Sequence, residues 1–220
     1  MKKTILALGL AASFAVSAGG YEPAPAPTPE KMMNKASWYF GVGMGYTKDN
    51  DMYLGDGQTT LARLSVGVNI SQYQGFKLGF ETGMQTGSQS RLNLTEAQSF
   101  DLGDVAVQTF INPMADVLVS LSGAFNKSSS LFLKGGVAFR QMHFDRDTMN
   151  SFSKVSPELQ AGVSVKVSNK ASLSLAYQGV FGGNLNLVTS NPLNTSGSGT
   201  GVAENIPSQH GGLLTLTMNV

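Results

Sequence analysis

Hydrophobic and polar residues alternate singly through most of this chain beyond residue 37. The clearest run is 157–181, PELQAGVSVKVSNKASLSLAYQGVF. Pro157, Leu159, Ala161, Val163, Val165 and Val167 share one face, and Ser156, Glu158, Gln160, Gly162, Ser164 and Lys166 the other. After a Ser168-Asn169-Lys170 turn the alternation resumes, with Leu173, Leu175, Tyr177 and Phe181 on the apolar face. A period of two on both sides of a tight polar turn predicts a β-hairpin. Each arm is about ten residues long, beyond the five or six of an ordinary strand and enough for a tilted strand to cross a bilayer.

The same pattern predicts six further strands. Trp38, Phe40, Val42, Met44 and Tyr46 alternate with Tyr39, Gly41, Gly43 and Gly45. Ala62, Leu64, Val66 and Val68 lie opposite Arg63, Ser65, Gly67 and Asn69, and Phe76, Leu78, Phe80 and Met84 opposite Lys77, Gly79, Glu81 and Gly83. Val117, Val119, Leu121 and Phe125 alternate with Asp116, Leu118, Ser120 and Ser122. The next strand sets Leu131, Leu133, Val137 and Phe139 against Lys134, Gly136, Ala138 and Arg140. Leu214, Leu216, Met218 and Val220 form the last apolar face. The connections at 71–75, 126–129 and 168–170 are short, and those at 48–58, 86–115, 141–154 and 182–209 are long. A soluble sandwich has no reason to alternate short and long connections. An outer-membrane barrel does, with tight periplasmic turns and longer external loops. The pattern therefore predicts an all-β, antiparallel, up-and-down transmembrane barrel spanning 37–220. The count is eight strands, or ten if Leu92, Leu94, Val105, Val107 and Thr109 belong to two more spanning strands rather than to a hairpin in a surface loop.

In such a barrel the polar face fills the lumen, where each charge needs a partner. Arg63, Glu81, Lys77, Asp116, Lys134, Arg140, Glu158 and Lys166 fall on that face and are the candidate lumen network. Folding the hairpins about their turns brings Arg63 near Glu81 and Arg140 opposite Asp116.

Composition fits this reading. Residues 1–18 carry Lys2 and Lys3, a short apolar stretch and Val16-Ser17-Ala18, which predict a signal peptide cleaved after Ala18. The run is short for an anchor helix. Residues 19–36 form a Pro/Ala-rich tether, YEPAPAPTPEKMMNK at its centre, too proline-rich to pair in a sheet. Cysteine is absent, which excludes a disulfide framework, a thiol nucleophile and cysteine-ligated metal. The net charge of +1 makes nucleic acid a poor partner. Charged residues are 13% of the chain, against roughly 25% in average globular domains, as suits a protein with a lipid-facing exterior.

The pair ADVLVSLSGAF and LFLKGGVAF at 115–139, with PELQAGVSVKV and LSLAYQGVFG at 157–182, resembles the small Gram-negative outer-membrane barrels, the OmpA-like and opacity-protein-like group. The chain departs from them in ending on Val220 rather than Phe, and it carries no peptidoglycan-binding domain of the OmpA kind. The resemblance implies a monomeric, porin-like barrel in the outer membrane, surrounded by lipid and lipopolysaccharide. It implies a structural role in envelope integrity or, alternatively, adhesion to a host surface molecule through the long loops. Candidate contacts are Met52, Tyr53 and Leu54, then His143, Phe144, Arg146 and Phe152 in HFDRDTMNSF, and the Gly/Ser-rich 182–209 loop. Some barrels of this architecture are enzymes that use a histidine near the outer rim. His143 near Asp145, Asp147 and Ser151, and His210 near Ser208, match no motif of that kind. The sequence is read as a non-enzyme without cofactor or metal, the DND triplet at 49–51 lacking the rest of an EF-hand.

Overall fold

The computed structural model describes residues 36–73, 75–104 and 106–220. The leader at 1–18 and all of the tether at 19–36 except Ala36 lie outside the described residues. In chain order the strands are β1 (Ser37–Asp49), β2 (Gln58–Tyr73), β3 (Phe76–Gln85), β4 (Ser88–Arg91), β5 (Gln108–Ile111), β6 (Met114–Ala124), β7 (Ser129–Phe144), β8 (Phe152–Lys166), β9 (Ala171–Val180), β10 (Val188–Ser190), β11 (Thr200–Val202) and β12 (Gln209–Asn219). One short helix, α1 (Glu96–Asp101), lies between β4 and β5.

Eight strands close a barrel in the order β1-β2-β3-β6-β7-β8-β9-β12, each antiparallel to the next. Closure comes from β12 on β1, paired from Tyr39↔Asn219 to Asp49↔Gln209. The side-chain faces follow the alternation. Trp38, Phe40, Val42, Met44 and Tyr46 point outward from β1, and Leu214, Leu216 and Met218 from β12. All of these are largely exposed, as are Leu64, Phe80, Val119, Leu133, Val163 and Leu175 around the wall. In water such a band would drive aggregation, and in hydrocarbon it meets a matching solvent. This is a transmembrane barrel of the outer-membrane kind.

One end carries the tight turns. Gly75 takes a left-handed φ of 84° between β2 and β3. Asn126 Oδ1 accepts from the amides of Ser128 (2.8 Å) and Ser129 (2.6 Å) between β6 and β7, and Ser168 Oγ accepts from Lys170 and Ala171 between β8 and β9. The opposite end carries four long connections, 50–57, 86–113, 145–151 and 181–208. The 86–115 ambiguity resolves to eight barrel strands. β4 and β5 have four residues each, too few to span; they pair with one another, and β5 also pairs with the outer end of β7.

The long connections do not hang free. Leu92, Leu102, Val107, Ile111, Met142, Phe144, Met149, Leu185, Ala203 and Ile206 form one buried apolar cluster over the barrel mouth. Backbone and side-chain bonds cross-tie the loops around it. Leu185 N donates to Asp51 Oδ2 (3.2 Å), Asn150 exchanges two bonds with the Ala203 backbone, and Thr189 Oγ1 donates to Asp101 Oδ2 (2.6 Å). The 182–209 loop, whose composition predicts a mobile segment, is held by this cap through Leu185, Ala203 and Ile206.

Replacing Val119, outward at mid-height on β6, with arginine is expected to cost about 2–4 kcal/mol of stability by urea titration in lipid vesicles. A cost near zero would place this wall outside the hydrocarbon.

Candidate functional site

Each lumen residue owes its place to strand parity, but its partner is set by register and strand tilt. The β2–β3 ladder sets Arg63 against Gln85, and Glu81 against Gly67. β2 runs on to Tyr73 and β3 starts at Phe76, so the strands pair further along than the 71–75 connection implies, and a register shift sits between Asn69 and Ser71. Arg63 still reaches Glu81 diagonally, with Nη2 donating to Oε1 at 3.3 Å. Its main partner is Asp116 on β6. Nη2 donates to Oδ1 at 2.8 Å and Nη1 donates to Oδ2, a bidentate fork. Asp116 is thus taken by Arg63, and the Arg140–Asp116 pair expected from the β6–β7 turn is not formed. The ladder sets Asp116 against Ala138, so Arg140 stands further toward the outer end.

The belt around Arg63 is completed by two more groups on Glu81. Lys134 Nζ donates to Oε2 at 2.6 Å and the Tyr39 hydroxyl to the same oxygen at 3.0 Å. Two glycines make room for these large side chains. A Cβ on Gly83 would lie 2.6 Å from Arg63 Cζ, and one on Gly67 would strike the Tyr39 ring. Above the belt lies a glutamine chain. Gln160 and Gln178 both donate to Glu158 Oε1, at 2.7 and 2.6 Å. Gln178 also donates to Gln85, and Gln85 to Gln209, each at 3.2 Å. Higher still, Arg140 Nη1 donates to the Pro207 carbonyl at 2.7 Å and approaches Asp49 at 3.8 Å, an ion pair without a hydrogen bond. Lys77 and Lys166 stand apart from all of this. Both are exposed at the turn end of the lumen.

Tyr39, Asp49 and the glutamines join the site without having been singled out by the sequence. Asp49 was legible, because it continues the lumen parity of Tyr39, Gly41 and Thr47 past the point where the strand was expected to stop. The glutamines carried no charge to mark them.

The loop candidates divide. Leu54 is 83% exposed, and Tyr53 is exposed beneath the Arg91 guanidinium, 4.8 Å from its ring centre. Arg91 also grips Asp56, holding that carboxyl below its ordinary range by hydrogen bonding. Phe144 is buried in the cap cluster, and Met52 and Phe152 pack half-buried against it, so these three present little surface. For Phe144 and Phe152 the reason is that β7 and β8 run on through much of the expected 141–154 loop, pairing Met142 with Phe152. Arg146 Nη1 donates to the Leu102 carbonyl (2.6 Å), and His143 stacks on Phe110 at 4.9 Å. His210 faces outward, sharing a 2.8 Å hydrogen bond with the Tyr177 hydroxyl and meeting Phe181 edge-on. These are packing and girdle positions at the membrane boundary.

Solved structures share the architecture. OprG from Pseudomonas aeruginosa is 9% identical over 85% of this chain and 97% of that one, with a TM-score of 0.55. Ail of Yersinia pestis is 13% identical, covering 84% and 96%, with a TM-score of 0.47. A major outer membrane protein from Thermus thermophilus is 13% identical, covering 84% and 99%, at 0.45. No family model and no curated protein matches the sequence. At these identities the likeness is one of fold, and that fold is the outer-membrane β-barrel.

Replacing Asp116 with alanine strands a buried guanidinium and is expected to cost about 3–5 kcal/mol. Lys77→Ala at the exposed turn end should stay within about 0.5 kcal/mol. Urea unfolding of the two variants in bilayers, followed by heat-dependent gel mobility, separates them. Equal costs would remove the belt from the lumen's stability.

Proposed function

We propose that the protein is a sealed structural barrel of the outer membrane, contributing to envelope integrity rather than passing solutes. The observation that carries this is a lumen closed at two heights. The Arg63–Asp116–Glu81–Lys134 belt crosses it inside the barrel wall, and the apolar cap cluster covers the outer mouth. A solute pore needs a continuous wet path, and the belt and the cap each set packed side chains across it, which supports a closed lumen. Reconstituted in planar bilayers in concentrated KCl, the protein should give no sustained conductance. Steady channels that persist in a variant with an intact belt would overturn the reading.

A second reading, surface recognition, is supported by the outer face of the cap. Tyr53 and Leu54 project from the first long loop, and Val188, Leu193 and Val202 from the last, all exposed. Asp51, Asp56, Glu96, Asp101, Asp104, Asp145, Asp147 and Glu204 outnumber Lys48, Arg91, Arg146 and Lys154 at this end. Such a surface repels sulfated or phosphorylated polymers and suits an apolar, basic protein surface on a host cell or matrix. Point changes test this better than excising 184–207, which would remove Leu185, Ala203 and Ile206 from the cap cluster. Cells displaying Leu54→Ser with Leu193→Ser should adhere several-fold less to a matrix surface, with heat-modifiable mobility unchanged. Unaltered adhesion would remove this face from any adhesive role.

A further inference from the structure

The turn end of the barrel holds a cavity below the belt, which forms its floor through Tyr39, Glu81 and Lys134. It has a volume of about 320 Å³, and its lining mixes serine, threonine, asparagine, glutamine and lysine side chains with Phe132, Ala176 and Leu213. Serines and threonines from β6, β8, β9 and β12 form much of its wall, Ser120, Ser164, Ser174 and Thr215 among them. Lys77 and Lys166 line it toward the turns, and Lys134 and Glu81 where it meets the belt.

Its charge is one-sided. Glu81, the acidic residue in the lining, is already taken by Lys134, Arg63 and Tyr39. Among the described residues neither Lys77 nor Lys166 has an acidic partner. Lys127 and Lys170 sit in the adjacent turns, and no aspartate or glutamate lies among the described residues of those turns. The acidic excess lies at the far, looped end. The vestibule is therefore a concave, donor-rich space at the positive end of the molecule, with walls that focus the field inward. Lysine ammonium groups bind phosphate as mobile point charges, and hydroxyls supply directed donors beside them.

We propose that this vestibule binds a compact phosphoryl-bearing anion, held by Lys77 and Lys166 and lined by the serine and threonine hydroxyls. Short turns face the periplasm in barrels of this kind, so the ligand arrives from that side, as a free phosphorylated solute or as a phospholipid headgroup. The volume suits a diphosphate or a sugar phosphate better than a longer polymer.

The test uses the full chain refolded in phosphatidylcholine bilayers, with inorganic pyrophosphate as probe in titration calorimetry at low salt. Saturable binding at one site is expected, about tenfold weaker in Lys77→Gln with Lys166→Gln. The pair Lys48→Gln with Lys154→Gln, at the opposite rim, should bind like the parent. Heat-dependent gel mobility checks that each variant is folded. No saturable binding to the parent protein overturns the proposal, and so does equal weakening by both pairs, which would mark a diffuse field rather than a site. Repeating the titration with phosphatidylglycerol in the bilayer separates the sources. Loss of pyrophosphate binding there assigns the vestibule to a headgroup, and unchanged binding assigns it to a soluble anion.

Discussion

Hydrocarbon offers no hydrogen bonds, and every other feature of this molecule follows from that. A backbone amide or carbonyl left unpaired at membrane depth costs several kcal/mol, so a sheet in lipid must have no edge. The β12–β1 ladder removes the last one. Once the sheet closes, its two faces are assigned opposite solvents, and the single-residue alternation becomes compulsory along every spanning strand. The outer face spends its large apolar residues on lipid, so the interior must be built from what remains: small, polar and charged groups in a confined space.

That confinement explains the belt. Arg63 is buried in the lumen, and a guanidinium there is tolerable only if several acceptors surround it. Asp116 supplies a fork, Glu81 a third oxygen, and Lys134 and the Tyr39 hydroxyl then donate to the second oxygen of Glu81. The glycines at 67 and 83 belong to the same solution, since a side chain at either would occupy the space of the ring or the guanidinium. Polar packing in a barrel this narrow is a volume problem as much as a charge problem.

The fold and both faces of each strand were legible in the sequence because alternation is a one-dimensional signal. The lumen partners were less so. Arg63 with Glu81 emerged in the right neighbourhood, yet by a diagonal reach that a turn-centred fold of the hairpin does not describe. Arg140 with Asp116 failed because the ladder places Ala138 opposite the carboxylate, and that small displacement in register hands Asp116 to a different strand. Tilt and register are properties of the closed sheet, and no single hairpin encodes them. The cap was the least legible part. Leu92, Val107, Leu185 and Ile206 come from separate stretches of the connections with no shared period, so their convergence is visible only in three dimensions.

The cap also sets where this protein can change. A loop that merely covers a mouth drifts freely, whereas loops that share one core are bound to drift together. Gly55 has open space around it at the tip of the first long loop, and Leu193 lies out in solvent on the last. Leu102, by contrast, is buried where the second loop meets the shared cluster. Foreign epitopes or new antigenic variants therefore have room at the first two positions, while at the third any insertion divides the core on which all four loops rest.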